Sequence, residues 1–119
     1  MAVKYTTQYG TVSIDEEVIA KCAGMAALEC YGVVGMAQTG MKDGLAQLLT
    51  GDTITKGIKV TGTDEGTTIE FHIIVEYGTN ISTIADNLMS NVKYSVKEML
   101  GIDVDDISVF VEGIRTEQA

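Results

Sequence analysis

The sequence predicts an α+β fold, a two-layer sandwich in which two long helices cover one face of a mixed β-sheet. Three observations predict it: two segments carry apolar residues at helical spacing, one segment alternates between apolar and polar residues, and the second helical segment lies between two strand-like segments. A strand, helix and strand in this order join parallel strands by a right-handed crossover. The 119 residues contain no linker or repeat, so we expect one domain over 9–114, with tails over 1–8 and 115–119.

The first part of this domain predicts a short strand followed by a long helix. The strand occupies 9–14, where apolar and polar residues alternate briefly. A capping box then starts the helix, because the Ser13 hydroxyl can accept a hydrogen bond from the backbone N–H of Glu16 while the Glu16 carboxylate reaches back. Apolar residues at helical spacing extend the helix to about Cys30, and Gly32 is placed to end it. Its buried stripe comprises Val18, Ile19, Cys22, Ala23, Ala26 and Cys30.

Three strands and a small helix are predicted between the two long helices. A compact strand covers 32–36, and an amphipathic segment over 41–50 is closed by Gly51. A hairpin with Gly66 at a position that needs a positive φ then joins two strands. The second of these strands has the clearest alternation in the chain. Its apolar face comprises Ile69, Phe71, Ile73, Val75 and Tyr77, and its other face comprises Thr68, Glu70, His72, Ile74 and Glu76.

A second long helix and a final strand complete the domain. Asn80 introduces the helix and Gly101 is its expected C-terminal cap. The last strand covers 104–114 and alternates between apolar and polar residues. The buried stripe of the helix comprises Ile81, Ile84, Ala85, Leu88, Val92, Val96 and Met99.

Composition argues against a nucleic-acid-binding protein and against an enzyme. Eight Lys and Arg stand against 17 Asp and Glu, and a net charge of -9 repels phosphate. One His and two Cys supply few nucleophiles, bases or soft metal ligands, and the common catalytic motifs are absent from the sequence. We therefore predict no catalytic residue, no cofactor, no metal and no nucleic-acid partner. Because the sequence shows neither a signal-peptide pattern nor a membrane-spanning apolar run, we also predict a cytoplasmic location.

The mainly polar face of the long strand is the candidate interaction surface. His72 among carboxylates is a pattern for a general base or a metal ligand, but it comes with neither a nucleophile nor a closed ligand set, so a solvated sheet face is the interpretation that we prefer. Ile74 and Phe110 are the apolar residues of this face. On neighbouring strands they would form a patch for docking or self-association, with His72 and Glu112 beside it.

Seven segments, taken in order, carry a resemblance to a known family. They are YGTVSI at 9–14, EVI at 17–19, AALECYGVVGM at 26–36, KGIKV at 56–60, VEYG at 75–78, MLG at 99–101 and VFVEGI at 109–114. They resemble the alkaline shock protein family of Gram-positive bacteria, also called the Gls-type envelope stress response family. The resemblance implies a small cytoplasmic protein without known catalytic activity, linked to envelope homeostasis and stress. It also implies self-association, and attachment of some members to a membrane-anchored relative.

The sequence thus predicts a non-enzymatic cytoplasmic interaction protein that supports envelope homeostasis or the stress response. It would act by self-association or by binding a related partner, including a membrane-anchored one. The alternative is a regulator that binds a small molecule or acts in lipid metabolism. In that alternative, Met25, Met89 and Met99 would line an adaptable apolar pocket between the helices and the sheet.

Overall fold

Two long helices and a mixed sheet form an α+β sandwich, as the sequence predicts. The computed structural model describes residues 2–38, 48–49, 51–63 and 66–116. The elements are β1 (Ala2–Thr7), β2 (Gly10–Asp15), α1 (Glu16–Leu28), β3 (Val33–Ala37), β4 (Leu48–Leu49), a 3₁₀ helix (Gly51–Gly57), β5 (Ile58–Thr63), β6 (Gly66–Glu76), α2 (Ile81–Leu100) and β7 (Asp106–Arg115).

Strand β6 is the centre of the main sheet. β7 runs parallel to it along one edge, from the pair Thr68–Asp106 to the pair Glu76–Arg115. β5 pairs antiparallel with its first half and β3 with its last residues, so these two strands share its other edge. The parallel pairing of β6 and β7 confirms the expected crossover through α2. Among the described residues β7 pairs with β6 alone, so its outer side is a free edge of the sheet.

Both long helices pack on the apolar face of β6, where they enclose the core. Asn91 of α2 donates from Nδ2 to the backbone oxygen of Ala26 in α1, at 2.8 Å. The sulfur atoms of Cys22 in α1 and Met99 in α2 are 3.9 Å apart. Because contacts later in α1 meet earlier residues of α2, the helices run antiparallel. The core between helices and sheet includes Ile19, Ala23 and Ala27 of α1, Leu88, Val92 and Val96 of α2, and Ile69, Phe71, Ile73 and Val75 of β6.

The first residues form a strand, whereas the sequence analysis assigns 1–8 to a tail. β1 pairs with β2 in an antiparallel hairpin and reaches across to the rest of the fold. Val3 lies against Gly62 of β5, where an added Cβ would come within 2.5 Å of the Val3 side chain. The Tyr5 hydroxyl donates to the backbone oxygen of Leu100, at 2.9 Å. Alternating apolar residues, Val3 and Tyr5, are the signal in the sequence that indicates this strand.

The predicted capping box at Ser13 is wrong, and Asp15 caps α1 instead. β2 continues to Asp15, and Ser13 is held in the strand opposite Lys4. The Asp15 carboxylate accepts from the backbone N–H of Glu17 at 3.4 Å. α1 ends at Leu28, earlier than predicted, because Glu29 is its C-terminal cap.

The caps of α2 match the prediction. The Asn80 side chain accepts from the backbone N–H of Thr83 at 3.0 Å. Gly101 adopts φ +74° and donates its N–H to the Lys97 carbonyl, the left-handed cap that glycine favours. Three residues of the predicted stripes face solvent, since Val18, Ile81 and Met99 are exposed.

The amphipathic segment predicted over 41–50 lies largely outside the described residues. Its described part, Leu48–Leu49, is the short strand β4, which pairs with Met36 and Ala37 of β3. Gly51 begins a 3₁₀ helix that the sequence analysis does not predict, and this helix contributes the buried Ile54 to the core. The hairpin prediction at Gly66 agrees with its φ of +141°.

Replacing Tyr5 by phenylalanine is expected to lower the free energy of unfolding by about 1 kcal/mol, because the hydrogen bond to the Leu100 carbonyl is lost. Urea denaturation followed by circular dichroism measures the difference. Tyr9→Phe is the matched control, since Tyr9 is 90% exposed and the change should leave stability within about 0.5 kcal/mol of the wild type. Equal stability of the Tyr5→Phe variant and the wild type would contradict the anchoring role of this bond.

Candidate interaction site

His72 lies on the sheet face opposite the helices, clamped between two carboxylates. Its Nε2 is 2.7 Å from Oε2 of Glu70, two residues away on the same face of β6. Its Nδ1 is 2.6 Å from Oε2 of Glu112 on β7. A neutral imidazole has only one N–H, so both contacts are satisfied as hydrogen bonds when the ring is protonated and donates from both nitrogens. The arrangement favours an imidazolium between two carboxylates.

The surroundings of His72 favour this charged form. Partial burial of the ring lowers its pKa. The hydrogen bonds with Glu112 and Glu70 raise the pKa by more than burial lowers it, so the pKa of His72 lies above the usual 6.5. Phe110 stacks on the ring with centroids 4.9 Å apart and planes 12° apart. An aromatic face beside an imidazolium adds a favourable cation–π term. The cluster therefore fixes the position of Phe110 on β7.

A β-bulge in β7 lies at Glu112, the residue that contacts His72. Ile73 pairs with Val111, but the next residue of β6, Ile74, pairs with Gly113, so Glu112 is the extra residue of the bulged strand. The bulge also reverses the faces of the residues that follow. Ile114 consequently pairs with Val75 on the helix side of the sheet, although it lies at the free edge.

The His72 cluster connects β6 and β7 through side-chain contacts. Both ring nitrogens already contact carboxylates, which leaves no lone pair directed at a metal. Within the described part of the chain, no group of three or more His, Cys, Asp and Glu side chains is arranged to hold a metal ion. The cluster brings no nucleophile to this face, and its most direct effect is to order β6 and β7 against each other.

Three of the four predicted interface residues lie together, and the fourth does not join them. His72, Phe110 and Glu112 form the cluster described above. Ile74 is only 7% exposed, so the predicted apolar patch of Ile74 and Phe110 is wrong as a surface feature. Ile74 lies in the middle of the sheet, where it pairs with Gly35 of β3 and Gly113 of β7, and its side chain is withdrawn from solvent.

The exposed apolar residues lie instead along β7. Phe110, Val111 and Ile114 are 46%, 36% and 56% exposed. Val111 and Ile114 do not stand out in the sequence, because their alternation is that of an ordinary strand. Only the strand order shows that β7 lies at an edge of the sheet. At this edge the helix layer does not cover Val111 and Ile114, so both contact solvent.

A second apolar surface lies in the groove between α1 and α2, with a volume of about 650 Å³. Met25 and Met99 line it, as the sequence analysis expects, but Met89 packs against the core instead. The lining residues come from the end of β2 and from the two helices, so the groove lies between the helices and not, as predicted, between helices and sheet. The described lining comprises Asp15, Glu17, Val18, Lys21, Cys22, Met25, Ala26, Glu29, Ser95, Met99 and Leu100.

Neither helix of the described part of the chain is both long enough and apolar enough to cross a membrane. α2, the longer of the two, has 20 residues, but one side of it is polar and charged. It is an amphipathic helix that packs on the sheet.

The contribution of His72 to stability should fall as the pH rises. Its pKa is higher in the folded than in the unfolded chain, so the stabilisation is complete below the unfolded value of 6.5 and is lost as the pH rises through the folded value. We expect the difference in free energy of unfolding between the wild type and His72→Gln to be largest near about pH 6 and to shrink toward about pH 9. Urea denaturation at several pH values measures it. A difference that grows with pH would contradict the clamp.

Comparison with known proteins gives a consistent set of relatives. The sequence profile of one family, described as having a cell envelope-related function, matches residues 4–116. The uncharacterized protein YloU of Bacillus subtilis is 42% identical over 116 residues, which cover 97% of each chain. The uncharacterized protein YqhY of the same organism is 31% identical over 92% of this chain and 80% of its own length.

A further relative carries a functional name. A stress response regulator gls24 homolog of Streptococcus pyogenes is 27% identical over 92% of this chain and 61% of its own length. No solved structure matches the chain. The family match spans nearly the whole sequence and agrees with the resemblance that the seven sequence segments carry. The chain therefore belongs to the alkaline shock protein 23 family, whose function is related to the cell envelope.

Proposed function

We propose that this protein is a non-catalytic interaction protein of the envelope stress response, and that it assembles with a second copy of itself through the outer edge of β7. The observation that carries the proposal is a ten-residue edge strand with three exposed apolar side chains, Phe110, Val111 and Ile114. The family description and the name of the gls24 relative support the envelope and stress role. Neither describes an enzyme, and the cytoplasmic location stays a prediction.

An edge strand is a natural site for pairing with another chain. It presents a row of backbone N–H and C=O groups that another strand can pair, and proteins that avoid such pairing place lysine, proline or inward-pointing charges on the edge. β7 has no lysine and no proline, and five of its ten residues are apolar. Pairing of two β7 strands would join two sheets into one across a two-fold axis.

The sequence of β7 is complementary to itself in the antiparallel direction. We expect the two strands to be centred on Phe110, with Glu112 as the extra residue in each strand, as it is against β6. Asp106 then lies opposite Arg115, and opposite charges at facing positions stabilise a strand pair. The remaining facing pairs are Ile107 with Ile114, Ser108 with Gly113, Val109 with Val111, and Phe110 with Phe110.

The His72 cluster supports this arrangement by holding the central side chain in place. Phe110 stacks on the imidazolium, which Glu70 and Glu112 fix from two sides. A side chain that is already ordered loses less conformational entropy when an interface forms. The same edge could pair with β7 of a relative of the same fold. A membrane-anchored relative would bind this protein through such a strand pair.

Sedimentation equilibrium of the wild-type protein tests the proposal. We expect a reversible monomer–dimer equilibrium in the micromolar range, which is strengthened by added salt because each copy carries a net charge of -9. A monomer at every concentration up to high micromolar, at low and at high salt, would contradict self-assembly.

A further inference from the structure

We propose that the groove between α1 and α2 is a docking site for an amphipathic helix of a partner protein that carries basic residues near both of its ends. This site is separate from the edge of β7, since the lining residues of the groove come from the end of β2 and from the two helices. The inference therefore stands or falls independently of self-assembly.

The shape of the groove fits a helix. Val18, Cys22 and Met25 follow one another at i, i+4 and i+7, so they lie along one face of α1. Ser95 and Met99, four residues apart, form the facing wall on α2. Two antiparallel helices side by side leave a seam that is open along its length, and a third helix packs into such a seam through an apolar stripe with the same spacing.

Three apolar side chains of the groove are exposed to solvent. Val18, Met25 and Met99 are 49%, 56% and 73% exposed. Two of the three are methionines, whose flexible and polarizable side chains adapt to the surface of an incoming helix. An exposed apolar groove with a polar rim indicates a binding surface.

The rim of the groove determines the charge of the partner. Asp15 and Glu17 lie at the end where α1 begins, and Glu29 lies at the other end. The described residues of the lining thus include three carboxylates and, between the two ends, the ammonium group of Lys21. The C-terminal turn of α2 at Leu100 also meets the first end, and the carbonyl groups of a helix C-terminus add negative potential there.

The spacing of these acidic groups sets the length of the helix. Twelve residues separate Glu17 from Glu29, which is about 18 Å along the axis of α1 at 1.5 Å per residue. A partner helix of about 14 residues, with Lys or Arg in its first and last turns, meets both acidic ends while its apolar stripe faces the methionines.

The same charges argue against the other occupants of an apolar groove. A fatty acid, an acyl phosphate or an anionic lipid headgroup would bring its negative charge close to Asp15, Glu17 or Glu29. This electrostatic penalty is the reason for choosing a basic helix over the small-molecule or lipid ligand of the alternative hypothesis.

Fluorescence anisotropy with two synthetic peptides tests the inference. The first is a helix of about 14 residues with a leucine stripe at i, i+3, i+4 and i+7 and lysines at both ends, and the second has glutamate in place of each lysine. We expect the basic peptide to bind the full chain and the acidic peptide to bind at least about tenfold more weakly, with the affinity for the basic peptide falling as salt is added. Amide chemical shifts should change along the groove-facing residues of α1 and α2.

Two variants and a matched control locate the site. Glu29→Lys reverses one end of the rim and is expected to weaken binding of the basic peptide by about tenfold or more. A lysine at the end of α1 is compatible with the helix dipole, so the fold should be retained. Met25→Ser should weaken binding without changing the charge. Glu98→Lys makes the same charge change on an exposed part of α2 outside the groove and should alter the affinity by no more than about twofold.

The inference is overturned if the basic peptide does not bind, if both peptides bind equally, or if Glu29→Lys and Glu98→Lys have the same effect. It is also overturned if palmitate binds the wild type, binds the Met25→Ser variant more weakly, and competes with the basic peptide. The groove would then be the binding site of a lipid ligand. An Ile114→Lys variant should bind the basic peptide as the wild type does, which separates this result from the outcome for self-assembly.

Discussion

Replacing Ile114 by lysine is expected to raise the dissociation constant of the proposed dimer by about a hundredfold or more. Ile114 is an exposed residue of β7 and lies opposite Ile107 in the proposed pairing of two strands. Burial of one such side chain contributes about 1.5–3 kcal/mol, and the two-fold axis makes each contact occur twice. A loss of about 3 kcal/mol corresponds to a factor of more than a hundred in the dissociation constant. Sedimentation equilibrium of the variant and the wild type measures it.

The direction of this effect separates edge pairing from simple electrostatics. Each wild-type copy carries a net charge of -9, so an added lysine reduces the repulsion between copies and would by itself favour association. Weaker association of Ile114→Lys must therefore come from the lost apolar contact and from a charge placed on the strand edge. Tyr94→Lys, at an exposed position of α2, makes the same charge change away from β7 and is expected to associate at least as tightly as the wild type. The account fails if the two variants weaken assembly equally.

Replacing Phe71 by alanine is expected to lower the free energy of unfolding by about 3–5 kcal/mol. Phe71 has no exposed surface and lies in the middle of β6, with Ile58 beside it on β5 and Val109 beside it on β7. Its removal leaves a cavity at the point where both helices pack on the sheet. Since domains of this size are stable by about 5–15 kcal/mol, the variant should lie close to unfolding at physiological temperature. Urea denaturation measures the change.

Phe110→Ala is the matched control for this prediction, because the same atoms are removed from a side chain that is about half exposed. We expect this variant to lose about 1 kcal/mol, from partial burial and from the stacking on His72. It should nevertheless weaken self-assembly, since Phe110 is at the centre of the proposed pairing. Equal losses of stability for the two variants would contradict the assignment of Phe71 to the core and of Phe110 to the surface.

The long, regular elements could be predicted from the sequence. β6 alternates over most of its eleven residues, with Ile74 as the exception, so its buried face is evident without the structure. α2 has clear signals at both ends, because Asn80 supplies a side-chain acceptor and Gly101 tolerates a positive φ. The parallel pairing of β6 with β7 followed from the helix between them. In these elements the local pattern and the global packing require the same residues.

The features that depend on contacts between distant segments could not be predicted. Ser13 and Asp15 are both good helix caps, and only the pairing of β2 with β1 determines which of them lies at the helix start. The burial of Ile74 is a tertiary property, which the alternation within β6 does not reveal. Val111 and Ile114 alternate like core residues, and their exposure follows from the strand order alone.

The position of the groove between the two helices could not be predicted for a similar reason. Val18 and Met99 match the apolar stripes of α1 and α2, but each stripe is wider than the surface that the sheet can cover. The excess becomes a groove only when the two helices lie side by side. The positions of Met25 and Met99 outside the core are therefore a tertiary property of the fold.

Amide hydrogen exchange of β7 at low and at high protein concentration tests the central claim most directly. In the proposed dimer, the N–H groups of β7 that point away from β6 gain strand partners, so their exchange should slow as the concentration rises, while the amides of α1 and α2 keep their rates. In Ile114→Lys the β7 amides should exchange at the same rate at both concentrations. Exchange of the wild-type β7 amides that is independent of concentration, under conditions where the protein sediments as a dimer, would place the interface elsewhere and contradict the account.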